Sequence, residues 1–234
     1  MSKKKKSSAS QGNDLLENPE VLAEQISRTE EFIEKNKTAV LVALVIVTVG
    51  LVGFMMSKYY LSGQNDNAQR DLYQAVYYYE ADSLGKALNG DGNNYGFLEI
   101  IDNYKFTKAA NLSNYYAGAT YLKLGDFENA IRYLKEFGSS DYLVQGRAYA
   151  LIGDAYMELE DFNNAVLYYE KAANYNPNKQ FSPTYLMKAA VANEMLKNYS
   201  AASANYQTIL DEYFGAAEYQ EAKKHKARVD GLAN

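Results

Sequence analysis

The sequence contains no cysteine and a single histidine, and each scarcity removes a class of chemistry. Without cysteine there is no disulfide framework, no thiolate nucleophile and no cysteine metal site. The lone histidine, His225, stands in the basic run KKHK, where it reads as a solvated side chain, because catalysis or metal binding would need converging partners. An excess of positive charge is missing too: 24 Lys and Arg face 29 Asp and Glu, a net charge of −5, so the chain as a whole has no nucleic-acid footprint. There is no nucleophile with a paired base, no metal-ligand cluster and no cofactor loop, so the expectation is a non-enzyme without a cofactor. The glycines of NGDGNN, Asn89 to Asn94, come nearest to a phosphate loop, but no Lys-Ser or Lys-Thr follows at the needed place. The acids there are misplaced for a calcium loop as well, and the stretch is expected to be a turn between helices.

What is present begins with a run of membrane length. Thr38 to Met56, TAVLVALVIVTVGLVGFMM, holds no charge over 19 residues, with Lys35 and Lys37 before it and Lys58 after it. About 20 residues of helix cross the hydrocarbon of a bilayer. A buried core helix would usually carry a polar stripe, whereas Thr48 is the only polar residue inside this run. Residues 38–57 are therefore expected to form a single transmembrane helix. The polar stretch before it is 37 residues long, and FMMSKYY offers no small-x-small cleavage site, so the helix should stay as an anchor. Lys3 to Lys6, Arg28, Lys35 and Lys37 precede the span, while Lys58 and Arg70 are the only cations in the first stretch after it. The positive-inside rule then places the N-terminus in the cytoplasm and everything after Lys58 on the exported side. Residues 1–58 hold 8 Lys and Arg against 7 acids, and residues 59–234 hold 16 against 22, so the exported part is mildly acidic.

Before the span, residues 1–17 are polar, basic and Ser-rich, too poor in apolar side chains to repay ordering, and are expected to be a disordered cytoplasmic tail. Residues 18–37 read as an amphipathic helix running towards the membrane: Asn18 can cap it, Pro19 suits its first turn and Glu20 favours its positive end. Leu22, Ile26, Thr29 and Ile33 recur at helical spacing, a narrow seam that could dock on a partner helix in the membrane complex or remain solvated. After the span, residues 58–110 read as a degenerate helical pair. A helix is expected from Asn65 to about Ala87, with Leu72, Val76, Tyr79 and Leu84 among its apolar positions, and a shorter one from Tyr95 to Tyr104.

The rest of the chain repeats itself. YLKLGDFENA, Tyr121 to Ala130, returns 35 residues later as YMELEDFNNA, Tyr156 to Ala165, and more faintly 37 residues further on as NEMLKNYSAA, starting at Asn193. A fixed period of this length points to stacked helical repeats. Gly153 and Ala165 are small where two helices would cross closely, Tyr156 and Tyr169 would fill the space beside them, and GDF and EDF supply turns. Residues 111–215 are read as three such units, and residues 216–234 as a helix capping the end of the stack.

The stretch from Gly146 to Lys179 resembles the tetratricopeptide repeat. Tyr149, Ile152, Gly153 and Tyr156 match its first helix, Ala165, Tyr169 and Ala172 its second, and Pro177 ends the unit. The unit from Asn111 matches through Gly118, Tyr121, Gly125, Ala130, Leu134 and Phe137. The unit from Pro183 keeps Ala190, Tyr199, Ala202 and Tyr206, with Asn193 where an aromatic is usual. The resemblance implies an all-α fold, a helix-turn-helix solenoid behind one N-terminal transmembrane helix, with protein ligands on the concave surface made by the first helices. Carried over position by position, that surface comprises Leu112, Tyr115, Ala119, Leu122 and Lys123; Arg147, Ala150, Asp154, Met157 and Glu158; and Thr184, Met187, Val191, Glu194 and Met195. Family members that clamp a peptide carboxylate use Lys and Asn where this chain has Tyr115, Ala119, Ala150 and Asp154, so a carboxylate clamp is not expected. Met157, Met187 and Met195 are the only methionines after residue 56, and all three fall in the set. Methionine suits surfaces that accommodate varied apolar ligands, and it also fills irregular gaps in cores.

The layout of a short cytoplasmic arm, one span and an exported acidic repeat domain containing NLSNYYAGATYLKLGDFENAIRYLKEF resembles the bacterial membrane-anchored ancillary subunits of the Sec translocon. The resemblance implies an inner-membrane protein whose repeats lie in the periplasm. There they would stand beside translocon subunits and a membrane-anchored prolyl isomerase chaperone and assist newly exported clients. The alternative is a structural scaffold in another envelope complex, such as one for cell-wall synthesis, cytochrome maturation or secretion.

Overall fold

The computed structural model describes residues 19–233, with side chains from 23 to 232. The basic tail of residues 1–17, the cap at Asn18 and the side chain of Leu22 lie outside what it describes. The chain divides into two units, Met1–Tyr60 and Leu61–Asn234. Among the described residues there are eleven helices and no strand.

In the first unit, α1 (Pro19–Lys35) opens with proline in its first turn, where the missing N–H costs nothing. Its surface carries two i,i+4 ion pairs, Glu24 with Arg28 at 2.8 Å and Glu31 with Lys35 at 3.4 Å. Ile26 and Ile33 are exposed, so the seam they form has no partner within the described residues. Asn36 alone separates α1 from α2 (Lys37–Glu80), and its side-chain amide donates to the Phe32 carbonyl at 3.0 Å. α2 is long and apolar enough to cross a membrane, and none of its most apolar window is buried. A core helix would bury that surface against protein. The Thr48 hydroxyl donates to the Leu44 carbonyl at 2.8 Å, so the polar group inside the run is satisfied by its own helix.

In the second unit the last part of α2 is followed by α3 (Leu84–Asn89), α4 (Phe97–Asn103), α5 (Lys108–Leu124), α6 (Phe127–Glu136), α7 (Tyr142–Glu158), α8 (Phe162–Tyr175), α9 (Ser182–Met195), α10 (Tyr199–Glu212) and α11 (Tyr219–Ala233). From α5 onward each helix packs against its chain neighbour, and the core advances along the sequence with them. Ala68, Leu72, Phe97 and Ile100 form one buried cluster; Ile131, Leu134, Phe137 and Ile152 the next; Ala165, Tyr169 and Ala189 another; and Leu186, Tyr206, Ile209 and Val229 the last. A core built from successive neighbours is the mark of a solenoid.

One turn geometry recurs at every crossing from a first to a second helix. The Asp126 N–H donates to the Tyr121 carbonyl at 3.0 Å, that of Asp161 to Tyr156 at 2.9 Å, and that of Asn198 to Asn193 at 2.9 Å. Gly125, Glu160 and Lys197 hold the left-handed position just before, at φ 79°, 55° and 58°. Asp126, Asp161 and Asn198 then cap the second helix by accepting from the backbone N–H three residues on. The same turn stands earlier in the chain, where the Ser83 N–H donates to the Tyr78 carbonyl at 2.8 Å and Asp82 is left-handed at φ 55°. This corrects the expectation of a helix from Asn65 to about Ala87: the helix stops at Glu80, the chain reverses at Asp82, and Leu84 begins another helix. Apolar spacing continued across the reversal, so periodicity did not reveal it.

In register with these turns, Ala75, Gly118, Gly153 and Ala190 are all buried, as are Ala87, Ala130, Ala165 and Ala202 one element later. These are the small residues at which paired helices approach. The NGDGNN stretch is a closed loop held by Asp91, whose carboxylate accepts from the N–H groups of Asn93 and Asn94 and, at 2.6 Å, from the Tyr78 hydroxyl. The Tyr78 hydroxyl, followed by these backbone donors, holds the Asp91 carboxyl far below the usual carboxylate range. Tyrosines pair across two of the helix hairpins, Tyr121 with Tyr133 and Tyr156 with Tyr168, at centroid separations of 5.4 and 5.6 Å.

A candidate partner-binding groove

Successive first helices present one face to a shared surface, and two cavities open there. One, of about 400 Å³, is lined by Met157, Tyr169, Thr184, Met187, Lys188, Val191, Glu218 and Glu221. The other, of about 610 Å³, is lined by Leu122, Lys123, Gly125, Phe127, Asp154, Met157, Glu158, Tyr169 and Lys188. Met157, Tyr169 and Lys188 border both, so the two cavities adjoin.

Met157 and Met187 are half-buried, each packing one side against a core cluster while the other lines the first cavity. The two roles open to methionine, gap filler and apolar surface, coexist in these side chains. Met195 is 55% exposed at the end of α9 and lines neither cavity. Val191 is exposed on the same helix and belongs to the first cavity. Leu122 belongs to the second and also packs against the core.

Other members of the sequence-derived set are placed differently. Leu112 packs against two core clusters, and Tyr115 packs against Phe137 with ring centroids 5.4 Å apart. Burial raises the Tyr115 hydroxyl above its ordinary range, partly offset by the Arg147 charge, and Arg147 itself is exposed. Ala119 and Ala150 are buried and offer no groove surface. Glu194 is a correction: its carboxylate accepts from the Tyr206 hydroxyl at 2.7 Å and pairs with Arg228 on α11, so it is spent inside the stack. The physical reason is that α11 lies over the end of the last hairpin and brings a cation to it.

Asp154 sits where neighbouring repeats have Ala119 and Val191, and the structure shows why a carboxylate is tolerated. Its Oδ1 accepts from the Tyr169 hydroxyl and from Lys188 Nζ, each at 2.7 Å, and the ammonium stands 5.7 Å from the Tyr169 ring centroid. Burial, then the Asp154 charge and hydrogen bond, push the Tyr169 hydroxyl far above its usual value, so it remains a donor. This ties α7, α8 and α9 together on the groove floor.

Sequence reasoning assigned Tyr169 to packing alone and did not single out Lys188, Glu218 or Glu221. Lys188 adjoins Met187 and was within reach of a helical-wheel reading. Glu218 stands immediately before the terminal helix, where it accepts from the Thr184 hydroxyl, and Glu221 lies in that helix's first turn; no periodicity says which helix α11 will face. His225 also departs from its expectation: it is part-buried, 4.0 Å from Glu194 and 3.6 Å from Glu221, with its ring against Tyr206. Among the described residues no group of three or more His, Cys, Asp or Glu could hold a metal ion.

Residues 113–137 and 146–179, which fall on α5 with α6 and on α7 with α8, match the family model of the tetratricopeptide repeat. No curated protein matches the chain. Repeats of this kind are scaffolds that hold protein partners, and the chain is an all-α, helix-turn-helix repeat solenoid of tetratricopeptide type.

Proposed function

We propose that the protein is a non-enzymatic, membrane-anchored accessory of the Sec translocon in the bacterial inner membrane. Its N-terminus lies in the cytoplasm, and its repeat domain lies in the periplasm beside a membrane-anchored prolyl isomerase chaperone and receives apolar segments of newly exported proteins. The observation that carries this reading is the cavity of about 400 Å³ whose apolar lining is Met157, Met187 and Val191. Flexible thioethers half-freed from the core can repack around varied apolar side chains. The acidic rim, Glu218 and Glu221, sets no fixed pattern of donors that would demand one ligand sequence. Anchoring is supported by the unburied apolar face of α2, and orientation by the cations that precede it.

The test is photo-crosslinking of the full-length protein in native membranes to unfolded exported model chains. Met157→Glu with Met187→Glu should abolish most of the crosslinking, because charge raises the cost of desolvating the groove for an apolar segment. Met195→Glu adds the same charge outside both cavities and should leave it unchanged. Undiminished crosslinking at normal stability would remove the client-binding reading. A scaffold holding one fixed partner would then stand in front, favoured by the polar cavity of Lys123, Asp154, Glu158 and Lys188. Identification of translocon and chaperone subunits among the crosslinked partners would support the first reading over the scaffold.

A further inference from the structure

Phe106 is 93% exposed and has a backbone φ of 70°. A bulky residue rarely occupies the left-handed region, and a fully exposed aromatic ring gains nothing from its own core. Both costs meet in one residue of the short connection between α4 and α5. The exposed cations Lys105 and Lys108 flank it, and a cleft of about 330 Å³ lined by Ile101, Phe106, Ala110 and Asn114 opens beside it.

Two hydrogen bonds tie this connection to the α2 segment that follows the apolar run. The Ala109 N–H donates to Asn65 Oδ1 at 3.1 Å, and the Tyr104 hydroxyl donates to Asp71 at 2.6 Å, which pushes that hydroxyl up to about 12. Only Tyr59 to Gln64 separate Lys58 from Asn65. Chain connectivity alone then keeps Asn65 within about 25 Å of Lys58. An apolar ring between two lysines, on a chain within that reach of a span's end, suits the interface of an anionic bilayer.

We propose that the Tyr104–Thr107 connection is a lipid-contact loop, with Phe106 inserted at headgroup level and Lys105 and Lys108 turned to lipid phosphates. The proposal rests on the membrane reading of α2. The occupant is the bilayer surface rather than a protein, because the connection lies within the chain's reach of the span's end and pairs an apolar ring with cations that anionic headgroups attract.

The chain has no tryptophan, so Phe106→Trp provides a single emitting indole in the full-length protein. The carrier is a vesicle of phosphatidylethanolamine and phosphatidylglycerol, with or without brominated acyl chains. Leu51→Trp reports insertion of the span, and Phe214→Trp reports an exposed aromatic far along the chain, 74% exposed in the parent. The expected result is a blue-shifted Phe106→Trp emission that loses most of its intensity to brominated lipid, while Phe214→Trp stays water-like. If Leu51→Trp is quenched and Phe106→Trp is not, the loop proposal falls and the membrane reading survives. If neither is quenched, both fall. Phe106→Gly separates lipid contact from structure: it should raise the melting temperature by relieving the backbone, and lower the stability gain that vesicles give the parent.

Discussion

Gly153 on α7 faces the ring of Tyr169 on α8 so closely that a Cβ at 153 would stand 2.6 Å from the ring Cδ1. The ring cannot retreat, because its hydroxyl is held by Asp154 at 2.7 Å. Gly118 has the same relation to Leu134, whose Cγ would stand 2.5 Å from an added Cβ. Gly153→Leu should therefore destabilise the domain by about 1–3 kcal/mol through overpacking, and Ala165→Leu likewise. Asn163→Leu, exposed beside the turn, should not. Chemical denaturation of the three variants checks this, and equal stabilities would mean that the helix register is misassigned.

The four hairpin turns share a left-handed residue but not its chemistry. Gly125 occupies it without strain, whereas Asp82, Glu160 and Lys197 carry a Cβ there. Glu160→Gly and Lys197→Gly should each stabilise the fold by about 0.5–1 kcal/mol, the relief of strain exceeding the added entropy of the unfolded chain. Gly125→Ala should cost about 1 kcal/mol. Urea midpoints of the three variants measure both signs.

Raised tyrosines make alkaline pH a probe of the stack. Tyr104 is pushed from 10.0 to about 12, first by its hydrogen bond to Asp71 and then by burial. Its unfolded form ionises near pH 10 and its folded form only near 12, so folding loses stability as pH rises through that window and keeps it in full below. Tyr169 and Tyr206 shift in the same direction, burial being the first cause in each. The urea midpoint should hold level up to pH 10 and decline above it, and Tyr104→Phe should shallow the decline. A decline unaltered by Tyr104→Phe would remove the Asp71 bond from the account.

The orientation carries its own test. Protease added to spheroplasts should degrade the chain from Tyr59 onward and spare residues 1–37. Protection of the repeat domain would overturn both the orientation and the periplasmic role.

Much of this architecture was legible in the order of residues because it is made of local rules. An uncharged run of 19 residues with Lys on both sides calls for a long apolar helix, and the structure has one there, long and apolar enough to cross a membrane. Gly153, Ala165 and the EDF turn recur because each hairpin solves the same short-range packing problem, so a period in the sequence becomes a period in space. The turn at Asp82 escaped this reading because apolar spacing continued across it and the insertion NGDGNN breaks the period. The groove was half legible. Met157, Met187 and Val191, which their register puts on the first helices, line one cavity. Tertiary docking alone decided that Glu194 would be taken by Arg228, that Asp154 would be tied by Lys188 and Tyr169, and that α11 and the turn before it would add Glu221 and Glu218 to the rim. A helix's sequence states which face is apolar, but the polar residues beside that face find partners only when the next helix arrives, and its rotation is set by packing between elements distant in the chain.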